Sequence, residues 1–310
     1  MKRVWACVIV SALCSVITLS ASRLQDTPRA VFRTESNLVV LHVNVFDGRS
    51  DAVPDLPQTA FMVVEDDKPQ EITFFSSADV PVAVGLVIDN SGSMISRRGM
   101  VVTGSTAFAE SSHPEDELFA VVFNENIRYG LPPGVAFTTN RTLLKSAIGR
   151  FPPGGKTAVY DAIVSALDHL EKSSHQKRVL VVLSDGDDNA SNYTEDEMLD
   201  RARRSDAIIY TVSSDDFGSG RRANPGVLRK LADATGGLAY FPSNDEGVIA
   251  AFNTIAANIR RGYSIGYVPS QVSRNGVYHR VKVMVRVRGR NNLTVRSRHG
   301  YATPASSSTN

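Results

Sequence analysis

Cysteine is nearly absent from this 310-residue chain: Cys7 and Cys14 are its only two. Both fall inside an N-terminal stretch with the pattern of an export signal, so the rest of the chain offers no disulfide, thiol nucleophile or cysteine-ligated metal site. A long apolar run is lacking too. Val4–Leu19 spans about 16 residues, is broken by Ser11, Ser15 and Thr18, and falls short of the ~20 that cross a bilayer as a helix. With Lys2-Arg3 before it and the small residues Ser20-Ala21-Ser22 after it, the stretch reads as a signal peptide over residues 1–22, leaving no stable membrane span once cleaved. An excess of one charge is missing as well. Without Lys2 and Arg3 the 34 basic residues fall to 32, equal to the 32 acidic ones, which gives no electrostatic reason to expect nucleic acid or anionic lipid as a partner. The six histidines are scattered at positions 42, 113, 169, 175, 279 and 299, and H-E-x-x-H does not occur.

What the chain does have is concentrated in Pro81–Met94, PVAVGLVIDNSGSM. Val82, Val84, Leu86, Val87 and Ile88 form a near-continuous apolar run, as expected of a strand buried on both faces of a parallel sheet. The run stops at Asp89, and the D-x-S-x-S turn that follows can aim Asp89, Ser91 and Ser93 the same way. One carboxylate and two hydroxyls are hard ligands that suit Mg²⁺ or Mn²⁺. An isolated D-x-S-x-S is equally well a strand running into a Ser/Gly turn. Two further stretches bear on the choice. Gly154–Ala162, GGKTAVYDA, places Thr157 at the mouth of a helix, and Val179–Asp188, VLVVLSDGDD, is a second buried strand ending in Asp185-Gly186. Open α/β sheets gather their sites beyond the carboxyl ends of their strands, where these three oxygen-bearing loops would converge.

With these residues the chain resembles the von Willebrand factor type A family, whose metal-ion-dependent adhesion site uses D-x-S-x-S, a Thr and an Asp in this order. The matching positions are Asp89, Ser91, Ser93, Thr157 and Asp185. The stretch FMVVEDDKPQEITFF and the ending Arg296–Tyr301 resemble the flanking β-segments of a bacterial subfamily labelled VWFA-related. Thr59-Ala60 stands where an acidic residue is usual before Phe61, and Asp67 where Gly is commoner; neither departure touches the ligand positions. The resemblance implies a Mg²⁺ site (Mn²⁺ or Ca²⁺ being alternatives) left open for the Asp or Glu side chain of a protein partner. Asn90, Asp187 and Asp188 are expected on the partner-binding rim.

The remainder fits an α/β class with a doubly wound, Rossmann-like, mostly parallel sheet, helices on both faces, and a small accessory β-domain. Leu38–Phe46 reads as a half-buried strand with Leu41, Val43 and Val45 inward and His42 and Asn44 on a polar face. Gly99 and Gly104 weaken the helix expected after the metal loop. Gly155-Lys156-Thr157 imitates the end of a phosphate-binding loop, but position 150 is Arg and a helix precedes it, so no nucleotide is expected. Asp161 lies in the first turn of the next helix, where it complements the dipole or orients a metal-bound water. Thr194–Glu197 is a capping box, and Asn224-Pro225 opens a further helix. Val281–Val287 alternates Val with Lys282, Met284 and Arg286. The division expected is a signal peptide (1–22), an N-terminal β-segment (23–79), a central domain (80–261), a C-terminal β-segment packing with the N-terminal one (262–302) and a disordered tail (303–310).

Taken together these readings point to an exported, secreted or periplasmic bacterial protein that is a metal-dependent protein-binding module and not an enzyme. The competing readings are a hydrolase using a metal-bound water and a structural envelope protein.

Overall fold

The computed structural model describes residues 38–48, 51–213, 224–271 and 276–303. The expected signal peptide, the Gly/Ser/Arg-rich loop at 217–223 and most of the expected C-terminal tail lie outside them.

The chain enters through five strands: β1 (Val39–Asp47), β2 (Asp51–Ala52), β3 (Phe61–Glu65), β4 (Lys68–Gln70) and β5 (Ile72–Ser76). It then builds the main α/β body: β6 (Ala83–Asp89), α1 (Arg98–Ser111), β7 (Glu117–Phe123), β8 (Ile127–Tyr129), α2 (Arg141–Gly149), α3 (Val159–Leu170), β9 (Arg178–Ser184), α4 (Glu195–Arg204), β10 (Ile208–Ser213), α5 (Pro225–Thr235), β11 (Ala239–Tyr240) and α6 (Asp245–Arg260). Four strands close it: β12 (Tyr263–Tyr267), β13 (Tyr278–Val285), β14 (Leu293–Arg296) and β15 (Gly300–Ala302).

The main sheet has the order β11-β10-β9-β6-β7-β8, with only the edge strand β8 antiparallel to its neighbour. All seven residues of β6 are buried, as an unbroken apolar strand at the centre of a parallel sheet requires. Helices α1, α2 and α6 pack together, as do α3, α4 and α5. The helix boundaries follow local chemistry. Asn140 and Asn224 accept from the N–H three residues on, Thr194 and Glu197 form the reciprocal capping box, and Gly236 ends α5 in the left-handed conformation (φ +81°).

Gly104, which weakens the helix expectation, has a packing role. A Cβ there would lie 2.7 Å from Phe252 Cδ2 of α6. Glycine therefore sets how closely α1 and α6 approach, and the interface stabilises a helix that propensity alone disfavours.

The strands flanking the main body pair with one another across the sequence. One antiparallel sheet runs β14-β1-β12-β5, with β2 on β1; a second runs β15-β13-β3-β4. Their inner faces share a core that includes Leu41, Val43, Phe61, Val63, Tyr263 and Val281. Neither terminal segment has enough apolar surface of its own, so the N- and C-terminal strands form a joint accessory β-structure.

The half-buried reading of β1 is corrected. Its second face is covered by the main body: Asn44 is buried, and its Nδ2 donates to the Tyr210 hydroxyl of β10 at 3.0 Å. His42 donates to or accepts from Ser264 Oγ at 3.2 Å; burial, with Lys177 adding to it, pushes its pKa down to about 4. Lys177 is itself buried, with Nζ donating to the Ile259 carbonyl in the last turn of α6 at 2.5 Å. The polar residues of β1 thus line a contact between two layers. Val281–Val287 is corrected in extent, since β13 begins at Tyr278 and places His279 on the same inward row as Val281 and Val283.

Candidate functional site

The order of the main sheet reverses between β6 and β9. From β6 the chain winds outward through β7 and β8, then returns to β9 on the other side and continues through β10 and β11. At such a switch point the loops leave two adjacent parallel strands in opposite directions and open a crevice. Asp89 ends β6 and Asp185 directly follows β9, so the two carboxylates straddle it.

Hydrogen bonds join the residues that gather there. Asp89 Oδ1 accepts from Ser91 N–H at 2.9 Å, Ser91 Oγ and Ser93 Oγ share a bond at 3.0 Å, and Ser93 Oγ donates to Asp185 Oδ2 at 3.0 Å. Asp89, Ser91, Ser93 and Asp185 therefore form one continuous chain. Thr157 joins through its main chain. Its N–H donates to Asn189 Oδ1 at 2.9 Å, its carbonyl accepts from Asn189 and Ala190, and Gly92 N–H reaches the Gly155 carbonyl of the same loop at 3.1 Å. Gly155 takes φ +85° and lies against the Glu125 carboxylate, which accepts from Lys156 N–H.

Asp89 is 1% exposed. Burial pushes its pKa up to about 6, against the hydrogen bonds from Ser91 and Ser184. The donor set is all oxygen, two carboxylates and three hydroxyls, which suits a small hard dication and offers nothing to a soft one.

Of the three residues expected on the rim, Asp187 alone is exposed. Asn90 is 2% exposed and turned inward. Its Nδ2 donates to the Pro152 carbonyl at 2.7 Å, its carbonyl accepts from Gly154 N–H, and Arg98 donates to its Oδ1. Asn90 is therefore a brace between two site loops rather than a contact for a partner. Asp188 is half-buried, accepting from Ser191 Oγ at 2.5 Å and from Tyr160 N–H at 3.3 Å. Asp161 lies in the first turn of α3, as expected, and also makes contacts the sequence did not announce. Its carboxylate accepts from the N–H groups of Asn192 and Tyr193, both at 2.9 Å, and from Asn192 Nδ2. Asp161 and Asp188 together clip the loop after β9 onto the start of α3.

Two residues missed in the sequence complete the frame. Ser184 Oγ donates to Asp89 Oδ2 at 2.7 Å and accepts from Gly186 N–H. Asn124 Nδ2 donates to the Gly154 carbonyl at 2.9 Å. A polar residue closing the apolar run VLVVLS was the available signal for Ser184.

Residues 84–187 match the model of the von Willebrand factor type A domain. This chain carries a von Willebrand factor type A domain. Among solved structures it is similar to a von Willebrand factor type A protein from Catenulispora acidiphila, at 16% identity over 88% of this chain and 76% of that one, with a TM-score of 0.51. That likeness supports the α/β fold. Similarity extends to the vWF domain of the type V pili tip protein Mfa5 from Porphyromonas gingivalis (14% identity, 59% of this chain and 96% of that one, TM-score 0.48). It extends also to an aerotolerance-related membrane protein from Bacteroides fragilis (17%, 57% and 98%, 0.47). No curated protein matches the chain significantly. Among the described residues, no helix is long and apolar enough to cross a membrane.

Proposed function

We propose that the protein is an exported, cation-dependent protein-binding module. Asp89, Ser91, Ser93, Thr157 and Asp185 would hold Mg²⁺, or Mn²⁺ or Ca²⁺ through the same oxygen chemistry, and an Asp or Glu of a protein partner would complete the coordination. The observation that carries this reading is the hydrogen-bonded chain Asp89–Ser91–Ser93–Asp185 at the strand-order reversal. The Ser91, Ser93 and Asp185 side chains are already linked at 3.0 Å, and the Ser91 N–H ties Asp89 to them, which supports a cation taking the place of the Ser91–Ser93–Asp185 bonds. Mg²⁺ favours six oxygens and commonly keeps several positions for water or an incoming ligand. Hydroxyl ligands neutralise less of its charge than carboxylates would, which favours capture of an external carboxylate. Asp187, exposed beside Asp185, belongs on the rim that meets the partner. The basic start and apolar stretch of residues 1–22 support export to the periplasm or beyond.

Calorimetric titration of the chain lacking residues 1–22 with Mg²⁺ and Mn²⁺, repeated on Asp89→Ala and Asp185→Ala, tests the reading. Saturable binding of about one ion, lost in both variants while circular dichroism shows them folded, is the expected result. Enhanced binding when a short acidic peptide is added would support capture of a carboxylate. Folded wild-type protein that takes up neither ion, with or without the peptide, would overturn the reading. Turnover of a phosphoester or peptide abolished by Asp89→Ala would replace it with a hydrolase.

A further inference from the structure

A second group of ligating side chains lies in the accessory β-structure. Glu65 is the last residue of β3, and Asp66-Asp67 form the two-residue turn into β4, both with positive φ (+44° and +65°). Such a turn suits a tight hairpin, and Asp tolerates the conformation. His279 comes from β13, more than 200 residues later in the chain, and faces inward beside the register pair Glu65 and Val281. His279 Nδ1 is 2.7 Å from Asp66 Oδ2 and 4.0 Å from Glu65 Oε1.

Each carboxylate is held by one oxygen and presents the other. Glu65 Oε2 accepts from the hydroxyls of Tyr267 (2.5 Å) and Tyr301 (3.0 Å), while Asp66 Oδ1 accepts from Arg280 N–H at 2.9 Å. Glu65 is only 5% exposed and, with His279, lines a cleft shared with Lys68, Gln70 and Ser270.

We propose that Glu65 Oε1, Asp66 Oδ2 and His279 Nδ1 form a second cation site, selective for a transition-metal dication of the Zn²⁺ class. Ligands ~2.1 Å from a tetrahedral Zn²⁺ lie ~3.4 Å from each other. The 2.7 and 4.0 Å separations bracket that value, and all three donor atoms lie within 4.8 Å of one another. The imidazole separates this site from the all-oxygen group at Asp89, since nitrogen ligation favours Zn²⁺ over Mg²⁺ or Ca²⁺. The two tyrosines and the Arg280 amide supply the outer contacts that orient metal-binding carboxylates. The open side of the cleft leaves room for a water as fourth ligand. Binding there fastens the β3–β4 hairpin to β13 and so joins the N-terminal strands to the C-terminal ones.

The test is a Zn²⁺ titration of tag-free protein carrying Asp89→Ala, so that the outcome does not depend on the first site. One equivalent should bind saturably and raise the melting temperature. Asp66→Asn and His279→Gln, each added to that background, should weaken binding at least 100-fold and abolish the melting shift. Asp66 is exposed, so its variant remains informative if His279→Gln does not fold. No saturable Zn²⁺ uptake by the folded protein, or uptake unchanged by Asp66→Asn, would overturn the proposal and leave a plain histidine–carboxylate hydrogen bond.

Discussion

Ser184 Oγ donates a 2.7 Å hydrogen bond to Asp89 Oδ2 and so ties together the ends of the two adjacent strands, β9 and β6, that straddle the reversal of strand order. Ser184 and Asp89 are both almost completely buried. With Oδ1 held by Ser91 N–H, the bond fixes the carboxylate plane and the position from which the D-x-S-x-S turn departs. Ser184→Ala removes the donor and leaves a buried carboxylate oxygen short of one partner, at an expected cost of about 1–3 kcal/mol. Urea denaturation should show that loss. Cation affinity at the Asp89 site should fall along with it, whereas an unchanged midpoint would mean that water replaces the hydroxyl.

Asn90 distinguishes a brace from a contact residue. Asn90→Ala deletes a buried amide that holds the Pro152 carbonyl and the Arg98 side chain, so stability should drop by about 1–3 kcal/mol. Asp187→Ala, on the exposed rim, should leave the denaturation midpoint within about 0.5 kcal/mol of wild type. Denaturant titration of both variants, followed by partner binding once a ligand is in hand, should show stability loss only for the first.

Two effects oppose one another at Gly104. Replacing it with Ala in the interior of α1 adds about 0.5–1 kcal/mol of helix propensity. The new Cβ, however, meets Phe252 Cδ2 at 2.7 Å and Cε2 at 2.9 Å, and overpacking of this kind costs about 1–3 kcal/mol. Net destabilisation is expected. In a double-mutant cycle Phe252→Leu should recover part of it, because the contact is direct.

His42 makes stability depend on acid. Its pKa in the fold is about 4, below the ordinary 6.5, because burial disfavours the charged ring and Lys177 and Arg298 repel it. The unfolded chain therefore binds the proton more readily. The contribution of neutral His42 is complete above pH ~6.5, declines as pH falls, and is lost below ~4, amounting to roughly 3 kcal/mol across that window. Urea denaturation at pH 7.5, 5.5 and 4.5 should show falling stability, with a shallower fall in His42→Gln. Parallel slopes for the two proteins would place the acid sensitivity elsewhere.

The alternation of buried strands with helices from Pro81 to Ile259, the D-x-S-x-S turn after the first central strand and the caps at Thr194 and Asn224 were legible because each is a local pattern. A strand buried on both faces must be apolar throughout, and a cap needs its side chain at one fixed position. Asn90 was misread because its sequence neighbours, Asp89 and Ser91, are candidate ligands. Its actual partners, Pro152 and Arg98, are supplied by other parts of the chain. The second role of Asp161, beside its expected place in the first turn of α3, was hidden in the same way, since Asn192 and Tyr193 reach it only when the loop after β9 folds back over α3.

The sequence by itself determined the α/β class, the order of the elements and the candidate oxygen donors at the ends of β6 and β9, because periodicity and short-range spacing are written within single segments. Tertiary structure decided that the second face of β1 is covered as well, why α1 carries glycine at 104, and that His279 meets Glu65 and Asp66. Those outcomes depend on the register and packing of strands and helices far apart in the chain, where one residue of slip would turn every side chain to the opposite face.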